Sequence, residues 1–182
     1  MYETLAEARR LHQAVSRDNL MVKVPATPEG IPAIRQLTAE GISINVTLLF
    51  SQGEYEKVAR AFVEGLEDRA KAGHDVSRIA SVASFFVSRI DSVLDKKIDD
   101  RVKGGETELA RLRGKVAIAN AKMAYQHYLR LVGEPRWRAL EAAGAQPQRL
   151  LWASTGVKDK AYSDVLYVEE LIGRDTVNTI PP

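Results

Sequence analysis

Strand-like and helix-like segments alternate along this chain, and no other sequence feature constrains the fold as strongly. Apolar runs predict five strands, at residues 20–24, 42–50, 79–87, 150–153 and 176–180, the last ending at the Pro-Pro terminus. Apolar side chains spaced three and four residues apart predict helices at 2–17, 28–40, 54–72, 107–132, 135–143 and 163–172. Strands and helices that alternate at this spacing indicate right-handed β-α-β units and a parallel sheet.

Local signals place some of the helix ends. Thr27 suits an N-cap, and Gly41 and Gly73 suit the ends of the second and third helices. A long polar connection through Gly104 and Gly105 is predicted to follow the third strand. The next helix would carry Leu112, Val116, Ala119 and Met123 along one face.

Two parallel architectures are possible for this chain, an open doubly wound sheet and a (β/α) barrel. Polar residues inside two of the strands help to choose between them. Ser43, Asn45 and Thr47 share one face of the second strand, and the other face is apolar, formed by Ile42, Ile44, Val46 and Leu48. Lys23 lies in the middle of the first strand. A barrel interior accepts such polar positions near its top, whereas strands of an open parallel sheet are usually apolar throughout. The pattern therefore favours the barrel.

The chain is too short for a complete barrel of this type. A full TIM barrel has eight strands and about 250 residues, and the sequence predicts five strands in 182 residues. We expect an α/β fold with an incomplete parallel (β/α) barrel of TIM type, in one domain over residues 1–182. Because the chain begins on a helix and ends on a strand, we expect it to be part of something longer.

Composition narrows the chemistry. The chain has no cysteine and three scattered histidines, so we expect neither a thiol nucleophile nor a metal site, and no other cofactor. The 26 basic and 24 acidic residues are interleaved, which indicates no nucleic-acid partner. There is no run of about 18 apolar residues and no signal-like start, so we expect no membrane association and a cytoplasmic location.

Lys23 is the most informative candidate. A lysine inside an apolar strand is expected to be kept from water, which would lower its pKa and free the amine as a Schiff-base nucleophile. The alternative is an ammonium group that reaches the strand end or pairs with a carboxylate. Periodicity alone leaves both interpretations open and favours the second.

The other candidates are polar residues in strands or just after them. Asn45 and Thr47 could hold a substrate carbonyl or hydroxyl, or could simply be satisfied interior groups. Arg89 and the Ser154-Thr155-Gly156 turn follow strands, where β-α loops bind phosphate, although both could equally be solvated surface. Trp137 and Trp152 are expected to be packing residues.

Several ordered motifs resemble those of transaldolases. The segment MVKVPATPEGI at 21–31 resembles the family's active-site strand, in which the lysine forms the Schiff base. INVTLLFS at 44–51 and ASFFVSRI at 83–90 resemble its next two strands. WASTG at 152–156, DVLYVEELIG at 164–173 and TVNTIPP at 176–182 resemble the long-chain branch, which also occurs fused to glucose-6-phosphate isomerase. The resemblance covers nearly the whole chain, with its first strand near the fourth of the family's barrel.

The resemblance implies metal-free transfer of a dihydroxyacetone unit between sugar phosphates in the pentose phosphate pathway. Lys23 would attack the ketose carbonyl of fructose 6-phosphate or sedoheptulose 7-phosphate, and erythrose 4-phosphate or glyceraldehyde 3-phosphate would accept the unit. Asn45 and Ser84 would position the three-carbon unit, and Thr47 would help in proton transfer. Arg89 and Ser154 would bind phosphate, with Lys158 as a looser substitute for the family's second phosphate arginine.

The family also has an aspartate on its first strand and a glutamate on its third, and neither has a counterpart in this chain. A catalytically impaired half-barrel that acts only as an oligomeric or interaction module is therefore the alternative hypothesis. Open sheet edges would favour association with another copy or with a missing N-terminal segment.

Overall fold

Five parallel strands form one sheet, and their spatial order is their order along the chain. The structure is a computed structural model that describes residues 1–180, so Pro181 and Pro182, the predicted end of the last strand, lie outside it. The strands are β1 (Val22–Pro25), β2 (Ile44–Leu49), β3 (Ser81–Phe86), β4 (Arg149–Ala153) and β5 (Thr176–Asn178).

The strand order distinguishes the two predicted architectures. The sheet runs β1-β2-β3-β4-β5, and each neighbouring pair is parallel. A doubly wound sheet reverses its strand order at a switch point, whereas a barrel adds each strand on the same side of the last. Within residues 1–180 the sheet does not close, since β1 pairs only with β2 and β5 only with β4. The predicted incomplete parallel barrel is confirmed.

Helices connect the strands and cover one face of the sheet. They are α1 (Tyr2–Val15), α2 (Gly30–Glu40), α3 (Gln52–Lys71), α4 (Ser88–Lys103), α5 (Val116–Gly133), α6 (Pro135–Ala142) and α7 (Leu166–Leu171), with a 3₁₀ helix at Thr107–Leu112. Two predicted helix ends are confirmed, because Gly41 and Gly73 adopt left-handed conformations with φ of 92° and 78°. The Thr27 hydroxyl accepts a hydrogen bond from the Gly30 N–H at 3.1 Å, so it caps the turn that leads into α2.

The main core lies between the sheet and these helices. Val24, Ile44 and Phe85 point to the helical side and are fully buried. Trp152 is 1% exposed, and its indole Nε1–H donates to the Leu171 carbonyl at 2.8 Å. Trp137 lies in a second cluster, together with Phe62, Leu66, Ile79 and Leu140 among others. Both tryptophans are therefore packing residues, as predicted.

The prediction of a long polar connection after β3 is wrong, because most of that segment is helix α4. Its buried residues are Ser88, Asp91, Asp95 and Ile98. The side of the helix that faces the protein is thus largely polar, which hides the helical period from a search for apolar residues. The connection is confined to the residues around Gly104 and Gly105.

The prediction for the following helix is wrong in its start, and the predicted apolar face is not the face that the structure buries. Residues 107–112 form the 3₁₀ helix, and Gly114, with φ of 65°, separates it from α5. Met123 and Leu112 are exposed, and the face that packs inward consists of Ala117, Ile118, Ala121, Ala124 and Tyr128. This buried face is rich in alanine, so the larger apolar side chains on the outer face gave the stronger sequence signal.

An ion pair between helices gives the fold a pH-dependent contribution. The Glu67 carboxylate of α3 accepts hydrogen bonds from Arg136 of α6, one of them at 2.7 Å, and this pairing lowers the pKa of Glu67. A lowered pKa stabilises the folded chain at neutral pH, and the contribution is lost as the pH falls through the folded-state pKa. Glu67→Gln should lower the free energy of unfolding by up to about 1 kcal/mol at pH 7, since both side chains are partly exposed.

Urea unfolding at about pH 7 and about pH 3 checks this prediction, and the difference between Glu67→Gln and wild type should be smaller at the lower pH. Glu7→Gln is the control, because Glu7 pairs with Arg10 on the exposed side of α1. A Glu67→Gln deficit that persists unchanged at low pH would contradict the assignment to the ion pair.

Candidate active site

Lys23 lies on the face of β1 opposite the helical core. Its neighbours Val22 and Val24 are buried against the helices, whereas Lys23 is exposed. The expectation that its strand keeps Lys23 from water is therefore wrong. The sheet does not close in residues 1–180, and the face that would line a barrel is open at this position. Lys23 is thus an accessible amine on the face of the sheet opposite the helical core.

Asn45 and Ser84 lie on the same face as Lys23. Lys23 and Asn45 are register partners on adjacent strands, which lie about 4.8 Å apart in a sheet. The Ser84 hydroxyl donates to Oδ1 of Asn45 at 2.7 Å, linking β3 to β2. This hydrogen bond fixes the amide plane of Asn45, and within residues 1–180 its NH₂ group donates to no protein acceptor. Three strands thus contribute neighbouring polar groups, with the amine at one end.

Thr47 follows Asn45 by two residues and shares its face, with 7% of its surface exposed. Its carbonyl accepts a hydrogen bond from the Ala26 N–H at 2.8 Å, which holds the ends of β1 and β2 together. The next residue, Leu48, has φ of 65°, and the register between β2 and β3 shifts between Val46 and Leu49. Leu48 is therefore exposed, and Leu49 takes the buried position, which corrects the predicted alternation on this strand.

Arg89 lies in the first turn of α4, just past the end of β3. Its guanidinium carbon is 4.8 Å from the ring centroid of Phe86, close enough for a cation–π interaction. Phe50, at the end of β2, packs against Phe86 with the ring centroids 5.1 Å apart. Two aromatic side chains thus support an exposed arginine at the carboxyl ends of the strands. Phe86 is not among the predicted site residues, although it lies three residues before Arg89.

Ser154 is brought beside the start of α4. The Ser88 N–H donates to the Ser154 carbonyl at 2.9 Å, and the two hydroxyl oxygens are also 2.9 Å apart. Ser154 has φ of 56°, a left-handed conformation that is uncommon for a residue other than glycine. These contacts place Ser154 next to the residue that precedes Arg89. Ser88 is a further site residue that sequence analysis missed, because its role depends on contact with a strand 66 residues away.

Lys158 is not joined to Arg89 or Ser154 by any described contact. It is exposed and lines a cleft of about 500 Å³ that α4 forms with the segment after β4. Asp91, Asp95, Tyr162 and Tyr167 line the same cleft. The site residues therefore form two groups, a donor group (Lys23, Asn45, Thr47 and Ser84) and an anion group (Arg89, Ser88 and Ser154). Lys158 belongs to neither by any described contact.

Both groups lie toward the carboxyl ends of the strands, which is where a barrel has its active site. Thr47, Arg89 and Ser154 follow the middle of a strand or its carboxyl end, and catalytic residues of TIM barrels come from those ends.

No three His, Asp or Glu side chains of residues 1–180 are grouped so as to hold a metal ion. None of the described helices is long and apolar enough to cross a membrane.

Comparison with known proteins gives the family. The model of the transaldolase/fructose-6-phosphate aldolase family matches residues 1–182. Among similar proteins, a transaldolase of Trichodesmium erythraeum is 57% identical over 98% of this chain, and a transaldolase of Saccharopolyspora erythraea is 56% identical over 98%. The aligned regions cover 48% and 47% of those proteins, so the chain spans about half of their length. The chain belongs to the transaldolase/fructose-6-phosphate aldolase family.

Proposed function

We propose that this chain carries the Schiff-base lysine, the donor group and one phosphate subsite of a transaldolase. The observation that supports the proposal most directly is the position of Lys23. It is exposed on the face opposite the helical core and lies beside Asn45, which is itself held by Ser84. The reaction would transfer a dihydroxyacetone unit from fructose 6-phosphate or sedoheptulose 7-phosphate to erythrose 4-phosphate or glyceraldehyde 3-phosphate. This would make it a step of the pentose phosphate pathway.

Lys23 would carry the covalent step. Its neutral amine attacks the ketose carbonyl, water leaves, and a protonated imine forms. When the bond between the third and fourth sugar carbons breaks, the imine takes up the electron pair and an aldose phosphate departs. The dihydroxyacetone unit then stays on Lys23 until an acceptor aldehyde arrives.

Asn45 and Ser84 would orient the bound unit. Because Ser84 occupies the Asn45 oxygen, the amide NH₂ of Asn45 is directed toward acceptors such as substrate hydroxyls. Thr47 lies one step nearer the strand end, where its hydroxyl would help to hold the group that exchanges protons. Each group would gain geometric precision from standing on a strand rather than on a loop.

Arg89 and Ser154 would bind the phosphate of the sugar. A guanidinium group matches two phosphate oxygens at once, and its contact with Phe86 limits the orientations that it can adopt. Lys158 would add a point charge from the neighbouring loop. The aspartate and glutamate that the family uses for proton transfer have no counterpart on β1–β5, so imine formation is the step we propose for this chain's own residues.

Association is a further part of the proposal. Within residues 1–180, β1 and β5 each leave one edge unpaired, and such edges tend to pair with other strands. We propose that the edges join either another copy or a segment that supplies the remaining strands.

We also propose that residues 1–182 form one domain and that the protein is cytoplasmic. The location is inferred because phosphorylated sugars carry charge and do not cross membranes unaided.

Ser84→Ala should weaken the donor group. Loss of the hydroxyl removes the bond that orients Asn45, so we expect the half-saturating concentration of fructose 6-phosphate in borohydride trapping to rise roughly tenfold. Ser81→Ala is the matched control, because it removes hydrogen bonds from the same strand, to the Ile44 carbonyl and Gln148, without touching Asn45. Equal effects of the two substitutions would contradict a specific role for Ser84.

Borohydride trapping of the wild-type chain tests the proposed function. The chain is incubated with fructose 6-phosphate or dihydroxyacetone, reduced, and examined by intact mass. A three-carbon adduct from both compounds shows that the chain forms the imine and cleaves the donor. A six-carbon adduct from fructose 6-phosphate alone shows imine formation without cleavage. No adduct from a cooperatively folded chain would contradict the proposal and favour a structural module instead.

A further inference from the structure

Two buried aspartates on α4 each bind a tyrosine from the segment after β4. Asp91 is 2% exposed, and one of its oxygens accepts from the Tyr167 hydroxyl at 2.9 Å. Its other oxygen accepts from the Ala117 N–H, at the start of α5, at 2.9 Å. The carboxylate therefore joins three separate parts of the chain.

Asp95 repeats the arrangement one turn further along α4. It is 7% exposed, and its oxygens accept from the Tyr162 hydroxyl at 2.8 Å and the Gly114 N–H at 3.0 Å. Residues four apart lie on the same helix face, so both aspartates point to the same side of α4. We call Asp91, Asp95, Tyr162 and Tyr167 the Asp–Tyr clamp.

The clamp spans a loop that contains proposed phosphate-binding residues. The loop runs from Ser154, at the end of β4, to the start of α7, with no helix or strand between. Near Ser154 it is held by Ser88, and at its other end by the two phenols of the clamp. Its far half has other anchors as well, since Val157 packs against the main core and Asp159 binds Arg113. The two phenols add its hydrogen bonds to α4.

Lys158 lies in that far half and has no described partner of its own. The next residue, Asp159, binds Arg113 at 2.8 Å, and Tyr162 binds Asp95 three residues later. Lys158 also lines the same cleft as all four clamp residues. Its position relative to α4 is therefore set by the clamp together with the anchors of Val157 and Asp159.

Arg89 and the clamp belong to the same stretch of α4. Asp91 follows Arg89 by two residues, so the helix that presents the guanidinium group also anchors the loop that carries Ser154 and Lys158. Burying two carboxylates is costly unless each is fully hydrogen-bonded, and burial raises the pKa of Asp91 despite its two donors. A packed apolar contact could join α4 to this loop at lower cost, and hydrogen bonds fix distance and direction more closely.

We propose that the Asp–Tyr clamp positions the phosphate subsite, by holding the part of the loop that carries Lys158 at a fixed distance from Arg89. The clamp residues do not touch the sugar phosphate; they set the spacing of the groups that do. This inference rests on the proposed function, in which Arg89, Ser154 and Lys158 bind the phosphate.

Replacing both phenols tests the proposal. In the double variant Tyr162→Phe/Tyr167→Phe, the half-saturating concentration of fructose 6-phosphate in borohydride trapping should rise roughly tenfold. Trapping by dihydroxyacetone, which has no phosphate, should be unchanged. Tyr125→Phe is the control, because the Tyr125 hydroxyl binds the Arg174 carbonyl at 3.1 Å, away from the clamp.

Two results would overturn the proposal. One is an unchanged response to fructose 6-phosphate in a folded double variant. The other is an equal loss with both compounds, which would show a general structural role. The affinity for inorganic phosphate, measured by calorimetry, gives a reading independent of imine chemistry. It should fall in the double variant by a similar factor.

The phosphate measurement also separates the two hypotheses. A wild-type chain that traps neither compound contradicts the proposed function, yet its phosphate affinity still tests the clamp. Weaker phosphate binding in the double variant supports the clamp. Equal binding, or none in the wild type, overturns it.

Discussion

Lys23→Met should reduce borohydride-trapped adducts from fructose 6-phosphate and from dihydroxyacetone to background. Methionine keeps an unbranched side chain of similar reach but has no amine, so no imine can form at this position. The free energy of unfolding should change by no more than about 0.5 kcal/mol, because Lys23 is exposed and its neighbours Val22 and Val24 supply the buried face of β1. Loss of adducts with unchanged urea unfolding is the expected pair of results.

Lys57→Met is the matched control for this prediction. Lys57 is exposed on α3 and is not among the residues of either proposed group. Its replacement should leave both the adducts and the stability unchanged. Adducts that survive Lys23→Met at wild-type levels would place the imine on another lysine.

Gly30→Ala should be the most destabilising small substitution near the site. A β-carbon at Gly30 would lie 2.0 Å from the carbonyl oxygen of Pro25, the last residue of β1. The oxygen belongs to the backbone, so relief requires β1 or the start of α2 to move. Overpacking usually costs about 1–3 kcal/mol, and we expect about 3 kcal/mol here because the clash is with the main chain.

The same substitution should also impair imine formation. Pro25 is the register partner of Thr47, so a shift at Pro25 changes the spacing of β1 and β2 two residues after Lys23. Gly53→Ala is the control, because a β-carbon there has nothing within 4 Å and alanine favours a helix. Urea unfolding checks both variants, and equal stability of the two would contradict the predicted clash.

The order and type of the strands could be predicted because their apolar runs face a core that the chain itself supplies. Val24, Ile44 and Leu150 are fully buried, and their alternation or continuity is visible in the sequence. Helix α4 could not be predicted in this way, since its inward face carries Asp91 and Asp95. Their partners are backbone N–H groups 26 and 19 residues away and tyrosines some 70 residues away. Polar burial of this kind depends on tertiary contacts that have no local signal.

The candidate site divides in the same manner. The positions of Lys23, Asn45 and Ser84 on one face follow from strand periodicity and family resemblance. The exposure of Lys23 could not be predicted from strand periodicity. It depends on whether the sheet closes, and closure is a property of the whole assembly rather than of one strand. Ser88 and Phe86 take part through contacts with Ser154 and Arg89, and only the folded chain shows those contacts.

Lys23 is proposed to be the nucleophile that attacks the ketose carbonyl and forms the imine. Peptide mapping of the wild-type chain after reduction with fructose 6-phosphate tests this proposal most directly, since the chain has ten lysines that could carry an adduct. We expect the adduct to lie on the peptide containing Lys23 and to be absent from all other lysine peptides. An adduct spread over several exposed lysines, or one centred on a lysine other than Lys23, would contradict the proposal.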